Sequence, residues 1–401
     1  MRDYLTTRRH FLEAVGAGSL AAMAARAGEA TPPKAPADGE KPAPAEEKKW
    51  TPVSDRKIRM GIVGYGVCQF GAAFGFQDHP NVEVVAVSDL IPARRDGLMK
   101  ACRCAKSYES LEELVKDPLI EAVFVATDAP SHPRHCIEVL NHGKHVMTAV
   151  PAVFGSLEDA DKLLETVKKC GLKYMMAETS CFHAELHAMR QIYRAGGFGR
   201  IIFSEGEYFH YCPTPIDSYK GWRVGVPPQW YPTHSNAYYV GVTRKRFVTV
   251  SCAGFRGAVA HCQPDANPYR NPFSDEVALF TTSEGGMSRM AVCWGMCGAG
   301  GEKGRVYGEK GSMETDRYHG LVKGLPDVAR PPLPPGVAAG GHGGSHGYLS
   351  SEFVAAILEK RDPLIDVYEA LAITVPGIIA HQSALKDGET MKLPQFERPK
   401  E

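Results

Sequence analysis

KIRMGIVGYGVCQFG, residues 57–71, carries a short apolar run, Ile58 to Val63, straight into Gly64-Tyr65-Gly66. A buried parallel strand enters a glycine-lined turn in this way. The apolar segment Val67 to Phe76 that follows has helical length. The best glycine register is Gly64-x-Gly66; Gly71 comes late, and Gln69 stands at the third glycine position. Glycine is required where the backbone turns tightly and lets a pyrophosphate touch main-chain N–H groups at a helix N-terminus. A second strand, Val82 to Ser88, ends in Asp89, at the separation expected of a carboxylate that takes the ribose hydroxyls of a dinucleotide. An acid there favours NAD, because it would repel a 2′-phosphate. Arg94 and Arg95 follow, so NADP stays open as the less favoured cofactor. Gly64, Gly66, Val67 and Asp89 are the cofactor-binding candidates at this end of the chain. The competing reading is an ordinary tight turn with a solvated Asp.

Outward from this stretch, strands and helices alternate to about Pro151. Ile58–Val63, Val82–Ser88, Ala122–Thr127 and His145–Thr148 are strand-like, with helices between them including Ser110–Lys116 and His132–His142. Near-continuous apolar strands alternating with helices predict a parallel sheet covered on both faces. Ligands of such sheets sit beyond the carboxyl ends of the strands. Thr127, Pro130 and His132 are therefore candidates to line the cofactor, and Val150, closing the domain, joins them. Ser156–Cys170 reads as a helix and Leu172–Ala177 as a strand. The texture then changes. Ile201–Phe209, Phe247–Ala253, Glu276–Thr282 and Ser288–Trp294 are strand-like without long helices between them, which predicts a largely antiparallel second sheet. A glycine-rich loop, Gly336 to Gly347, precedes two helices, Tyr348–Lys360 and Asp366–Leu385. The expected fold is α/β: a dinucleotide-binding domain over 56–151 and a substrate-binding α/β domain with a large open sheet over 152–385, with a tail over 386–401.

The chain has 401 residues, with 46 basic and 46 acidic side chains, so nothing in its charge points to nucleic acid. Thr7-Arg8-Arg9-His10-Phe11-Leu12 precedes an apolar small-residue run, and Ala25-Arg26-Ala27 offers a cleavage site. Residues 1–27 read as a twin-arginine export signal, placing the mature protein in the periplasm. The apolar run is too short to span a bilayer, and no stable membrane insertion is expected. Residues 28–55 are rich in Pro, Ala, Glu and Lys and read as a disordered tether. Eleven cysteines include no CxxC pair, so zinc spacing is absent and most are expected to be buried thiols. The twin-arginine path moves folded, cofactor-loaded proteins. A nucleotide enzyme beyond the cytoplasm must hold its cofactor tightly and return it to its starting redox state in each turnover.

Gly143-Lys144-His145-Val146 followed shortly by Pro151, after a GxG-opened domain and before an open-sheet domain, resembles the Gfo/Idh/MocA family from about Lys57 to Pro394. The resemblance implies a Rossmann domain joined to an α/β domain whose open antiparallel sheet holds the substrate. It also implies a homo-oligomer built through that sheet. The family's usual Glu-Lys-Pro signature supplies a catalytic lysine beside the nicotinamide; here the tripeptide is Ala149-Val150-Pro151, and Val150 cannot transfer a proton. Other segments are similar to the NAD-dependent α-N-acetylgalactosaminidases of that family. They are Glu178-x-x-Cys181, Gly206-x-Tyr208-x-His210, Trp222-Arg223, Tyr231-Pro232-Thr233-His234, His342-Gly343-Gly344 and Asp366-Val367-Tyr368. Phe182 stands where that branch has Tyr, and His346 where it has Asp.

This resemblance implies hydride transfer between a sugar carbon and tightly bound NAD, in a closed cycle that leads to glycosidic bond cleavage. A net sugar or polyol oxidoreductase and a catalytically silent sugar-binding homologue are the alternatives. The closed cycle needs a base at the oxidised hydroxyl, a base for the neighbouring C–H, and help for the leaving oxygen. His234 is the first candidate base, because imidazole titrates near working pH. It is read within an aromatic loop, Trp230 to Asn236. Tyr208 and His210 share one face of a strand and Tyr211 points the other way. Glu178 is placed to orient substrate or to polarise His183. Trp222, Arg223, Tyr231, His183 and His342 complete the substrate-binding candidates. His342 and His346 lack a third ligand, and no metal site is read.

Overall fold

The computed structural model describes residues 48–298 and 300–398. The expected export signal (1–27), residues 28–47 of the tether and residues 399–401 of the tail lie outside the described residues. No helix among the described residues is long and apolar enough to cross a membrane.

The first sheet has six parallel strands: β1 Ile58–Val63, β2 Val82–Ser88, β3 Ser107–Tyr108, β4 Ala122–Val125, β5 His145–Thr148 and β6 Tyr174–Met176. Their order is β3-β2-β1-β4-β5-β6. Ile58, Met60, Ile62, Val123 and Phe124 are fully buried, as expected of strands covered on both faces. The connecting helices are α1 Phe70–Ala73, α2 Pro92–Cys102, α3 Leu111–Leu114, α4 His132–Asn141 and α5 Leu157–Cys170. Helix α5 starts where the Ser156 hydroxyl accepts from Asp159 N, and stops at Gly171, which is left-handed at φ 66°. The parallel sheet runs on past the boundary expected at 151, because β6 is its sixth strand.

One expectation in this domain fails. Val67 to Phe76 is not one helix. Gln69 adopts a left-handed conformation (φ 54°), and only the single turn α1 follows before Gly75 breaks the chain again. A one-turn helix aligns few peptide dipoles, so the nucleotide seat rests on the glycine turn itself rather than on a helix N-terminus.

The second sheet holds β7 Ile201–His210, β8 Phe247–Phe255, β9 Asp275–Thr282, β10 Met287–Cys293, β11 Gly300–Gly308, β12 Gly311–Glu314, β13 Arg317–Gly320 and β14 Met391–Lys392. Its order is β13-β12-β11-β7-β10-β9-β8-β14, and only the β7–β10 pair is parallel. Strands β11 to β13 escape the sequence pattern because their residues are glycines and charges rather than alternating apolar side chains. Arg305 and Arg289 pair across the open face with Glu205 instead.

Four more helices follow, α6 Ala184–Arg194, α7 Thr233–Thr243, α8 His346–Leu358 and α9 Val367–Ala384; α7 and α9 pack on this sheet, and α6 packs on α7. Every residue of α7 is buried. It lies so close to the sheet that a Cβ at Gly206 would meet Ser235 O at 2.0 Å and one at Gly304 would meet the Tyr238 ring at 2.1 Å. The loop expected around His234 is therefore the first turn of a buried helix. Thr, His, Ser and Asn are weak helix formers, and packing overrides that preference. Asn236 Nδ2 is bound at 2.8 Å to Ile373 O in the α9 turn loosened by Pro376. His346, read as part of a glycine loop, opens α8.

Candidate functional site

A cleft of about 230 Å³ opens beyond the ends of β1, β2 and β4, where the strand order reverses. Gly64, Gly66, Val67, Asp89 and Thr127 line it as expected. Gly64 has φ +94°, and a Cβ there would meet Ala126 O at 2.3 Å. Gly66 has φ +59° and open space where its Cβ would stand, the kind of cradle a phosphate group fills. The Asp89 carboxylate accepts from Tyr65 N and from Ile91 N, both at 2.9 Å, and so locks the glycine turn to the end of β2. The residues present fit a dinucleotide. Arg94, one of the two arginines that kept NADP open, lines this cleft, and Arg134 and His135, which were not singled out from the sequence, line it as well.

Three expected cofactor residues, Pro130, His132 and Val150, are outside the lining of this cleft. His132 is buried, with Nδ1 2.8 Å from Pro151 O and Nε2 3.2 Å from Thr127 O, and burial lowers its pKa. It staples the loop after β4 to Pro151. Val150 is buried as well, and its carbonyl accepts from Tyr231 OH at 3.2 Å.

A second cavity, about 50 Å³, shares Trp222 and Arg223 with the cleft. Tyr208, His210, Tyr231, Val226 and Trp294 wall it. Tyr208 and His210 do share a face, while Tyr211 is exposed. His210 Nδ1 lies 2.8 Å from Cys212 Sγ, and burial lowers the pKa of the ring, so it is neutral near pH 7. Trp222 stacks on Tyr231 with centroids 6.4 Å apart, and Tyr269 OH donates to Trp222 O at 2.6 Å. Phe154 packs edge-on against Trp222 and Trp230.

Behind this cavity lies a buried charged cluster. His234 Nδ1 is 2.8 Å from Glu178 Oε1 and 3.5 Å from Glu302 Oε2. Ser180 Oγ donates to Glu302 at 2.5 Å, and Ser180 N to Glu178 at 2.9 Å. Glu178 Oε2 is buried with no hydrogen-bond partner among the described residues. Burial, the largest influence on His234, works against its charge, but Glu178 and then Glu302 outweigh it and raise the pKa to about 9. The ring is an imidazolium at neutral pH. For Glu302 burial pushes the pKa up, yet the His234 and His183 charges bring it below the usual carboxylate range.

His234, the first candidate base, thus sits beneath this second cavity. Its ring is 4.5 Å from Tyr208 and 5.8 Å from Tyr231, and it belongs to the lining of neither cavity. His183 is also buried, 3.4 Å from Glu302 and 2.9 Å from His342 O, and so it braces the cluster and lines neither cavity. His342 is exposed, outside both cavities, with Nδ1 2.9 Å from His346 Nε2; His346 Nδ1 is 3.1 Å from Ala73 O and its ring stacks on Phe74.

Glu302 was missed. It stands opposite Tyr208 in the β11–β7 register, so the two side chains share the inner face of the sheet. A strand built on Gly300, Gly301 and Gly304 gives no pattern from which this could be read. The ligand-type atoms of Glu178, His234 and Glu302 lie within 4.8 Å of one another, a set that can hold a metal ion where none was expected.

Residues 58–178 match the family described as oxidoreductase family, NAD-binding Rossmann fold, and residues 336–400 match the glycosyl hydrolase 109 C-terminal domain. A glycosyl hydrolase family 109 protein of Solibacter usitatus is 25% identical, over 86% of this chain and 89% of its own. One from Shewanella pealeana is also 25% identical, over 98% and 96%. Among solved structures, a levoglucosan dehydrogenase in complex with NADH and levoglucosan superposes with a TM-score of 0.70 at 16% identity, covering 85% of this chain and all of that one. The glycine turn, the reversed strand order and the two matched segments agree on an NAD-binding, oxidoreductase-fold enzyme whose Rossmann segment is similar to the Gfo/Idh/MocA oxidoreductases and whose C-terminal segment is similar to the glycosyl hydrolase 109 type.

Proposed function

We propose that this NAD-binding enzyme acts on a carbohydrate in a redox cycle that closes within each turnover and ends in cleavage of a glycosidic bond. The observation that carries the reading is the meeting of the two cavities at Trp222 and Arg223. A nucleotide seat opens there beside an aromatic-walled space across whose mouth a pyranose can stack. The glycosyl hydrolase 109 likeness supports cleavage over net oxidation. When bound, NAD supplies a hydride acceptor that serves as donor again before the product leaves.

The proton work falls to the side chains. His210 is a neutral imidazole in the cavity wall, fitted to take a proton from the sugar. Tyr208, whose pKa burial raises well above its usual value, stays protonated and fits the donor role toward an oxygen. His234 and Glu178 act as positioning residues: their ion pair sets the ring beneath Tyr208. Together these groups stand in for the lysine replaced by Val150. Export through residues 1–27 agrees with such a cycle, since a cofactor regenerated in place needs no external pool.

The test is to purify the exported protein, identify any bound nucleotide, and screen glycosides in D₂O. Deuterium at the carbon next to the oxidised one, without NADH accumulation, is the expected result. A stable keto product with NADH would make the enzyme a net dehydrogenase. No turnover of any glycoside would leave a sugar-binding homologue.

A further inference from the structure

The substrate cavity is lined by no carboxylate. Beside the Tyr208 and Tyr231 hydroxyls and the Cys212 thiol, its ionisable lining is one guanidinium, Arg223, and two imidazoles, His210 and His261. Cavities that bind neutral sugars through hydroxyl groups use acceptors as well as donors, and carboxylates are the strongest acceptors a protein has. The carboxylates of the cluster behind the wall, Glu178 and Glu302, both pair with His234, and neither lines the cavity. Among the described residues Arg223 joins no ion pair. The closest acid along the chain, Asp217, lies 3.8 Å from Arg94 instead. The guanidinium is not loose: its Cζ is 4.2 Å from the Trp222 ring centroid and 5.9 Å from that of Tyr231. Its backbone N–H is tied to Ser218 Oγ at 3.1 Å. A planar fork clamped on aromatic faces has already lost most of its freedom, so little more is lost when it meets a planar anion.

The size agrees. A water-sized group takes roughly 10–15 Å³ of such space, so a cavity of about 50 Å³ holds a carboxylate and its attached carbon, not a whole pyranose. The ring would then lie across the mouth that this cavity shares with the cleft. His261 is not free to compete for the anion. Its Nε2 is 2.8 Å from Cys212 O, and its Nδ1 accepts from Gly225 N at 3.0 Å.

We infer that the substrate is a carboxylate-bearing sugar, a hexuronic acid unit, and that Arg223 pairs with its carboxylate. This rests on the carbohydrate reading of the site and narrows it to a substrate class. The experiment titrates the NAD-loaded full chain with glucuronate and galacturonate, with glucose and galactose, and with galactose 6-sulfate, following tryptophan fluorescence. It repeats the titrations with Arg223→Gln and Arg223→Lys after a thermal-melting check.

The uronates are expected to bind at least roughly tenfold tighter than the neutral sugars. Arg223→Gln should remove that preference, a loss of roughly 10- to 100-fold in uronate affinity, and Arg223→Lys should restore only part of it. Equal binding of uronate and neutral sugar by the natural chain overturns the inference even if neither variant folds. Tighter binding of the sulfate overturns the choice of carboxylate. Loss of NAD affinity in Arg223→Gln without sugar would give the guanidinium to the cofactor and also overturn it. If the chain binds no sugar of any kind, the carbohydrate reading itself fails; if it binds and turns over only neutral glycosides, that reading stands and the uronate assignment alone falls.

Discussion

The nucleotide cleft and the aromatic-walled cavity touch at Trp222 and Arg223, yet they are built on different principles. The cleft is organised by a backbone turn. Its shape comes from one continuous turn, Gly64 to Cys68, pressed against the ends of neighbouring strands and locked by one carboxylate. The cavity is side chain throughout. Its walls come from β7, the 212–231 segment and the end of β10, and it rests on an ion cluster assembled from residues 178, 234 and 302. A site made of backbone tolerates change in side chains but not in the allowed φ. A site made of converging side chains fails one residue at a time.

The largest effect expected from that contrast is chemical. His210→Gln keeps a polar contact to Cys212 but removes the proton acceptor from the cavity wall. It should lower kcat/KM by roughly 10²- to 10⁴-fold and leave NAD affinity unchanged. Steady-state kinetics beside a nucleotide titration checks both halves. Equal damage to both would mean that the two regions are not separable.

Next comes the buried cluster. His234→Gln leaves Glu178 and Glu302 facing one another with no cation between them, and removing one partner of a buried ion pair costs about 3–5 kcal/mol. Urea unfolding should show this loss, and adding Glu302→Gln to the same chain should recover a large part of it. The pH dependence has a definite sign. His234 has a folded-state pKa raised to about 9, so its contribution is complete below its unfolded value and is lost as pH rises from about 6.5 through 9. A melting temperature that falls across this alkaline window in the natural chain, and not in His234→Gln, is the expected outcome.

How much of this could be read in the sequence follows the same division. The parallel sheet, the glycine turn and Asp89 were legible because each is encoded by neighbours: apolar runs of strand length, then glycine, then an acid at a fixed distance. The Tyr208–His210 face was legible for the same reason, as alternation within one strand. The cluster was not. Glu302 meets His234 only through the β11–β7 register, and no local signal in a glycine-rich strand announces a register. His234 itself was recognised but misplaced, because Pro232 and the polar residues after it look like a loop. The clearance left by Gly206 and Gly304 is what lets those residues form a buried helix.

A pair of glycine substitutions separates backbone from side chain within the cleft. Gly64→Ala would force a Cβ into Ala126 O at a φ that alanine resists, and should destabilise the chain by about 3 kcal/mol. Gly66→Ala meets open space, so its penalty is limited to the left-handed φ, about 1 kcal/mol. Its added methyl would instead stand where a phosphate is expected, and NAD affinity should fall further than stability does. Parallel unfolding and nucleotide titrations distinguish the two.

The smallest effect probes the one side chain on which the backbone-built cleft depends. Asp89 accepts from Tyr65 N and Ile91 N with separate oxygens. Asn keeps one acceptor and turns a donor toward the other N–H, so Asp89→Asn should lose about 1–2 kcal/mol of stability. It should also lower NAD affinity by about tenfold, the worth of one charge-assisted hydrogen bond to a ribose hydroxyl. NADP should respond differently, because the removed charge would have repelled its 2′-phosphate. Its affinity should hold or rise, with Arg94 and Arg134 in the same cleft to meet the phosphate. The ratio of the two dissociation constants is therefore the measurement that matters. If it does not move while stability drops, Asp89 only braces the turn.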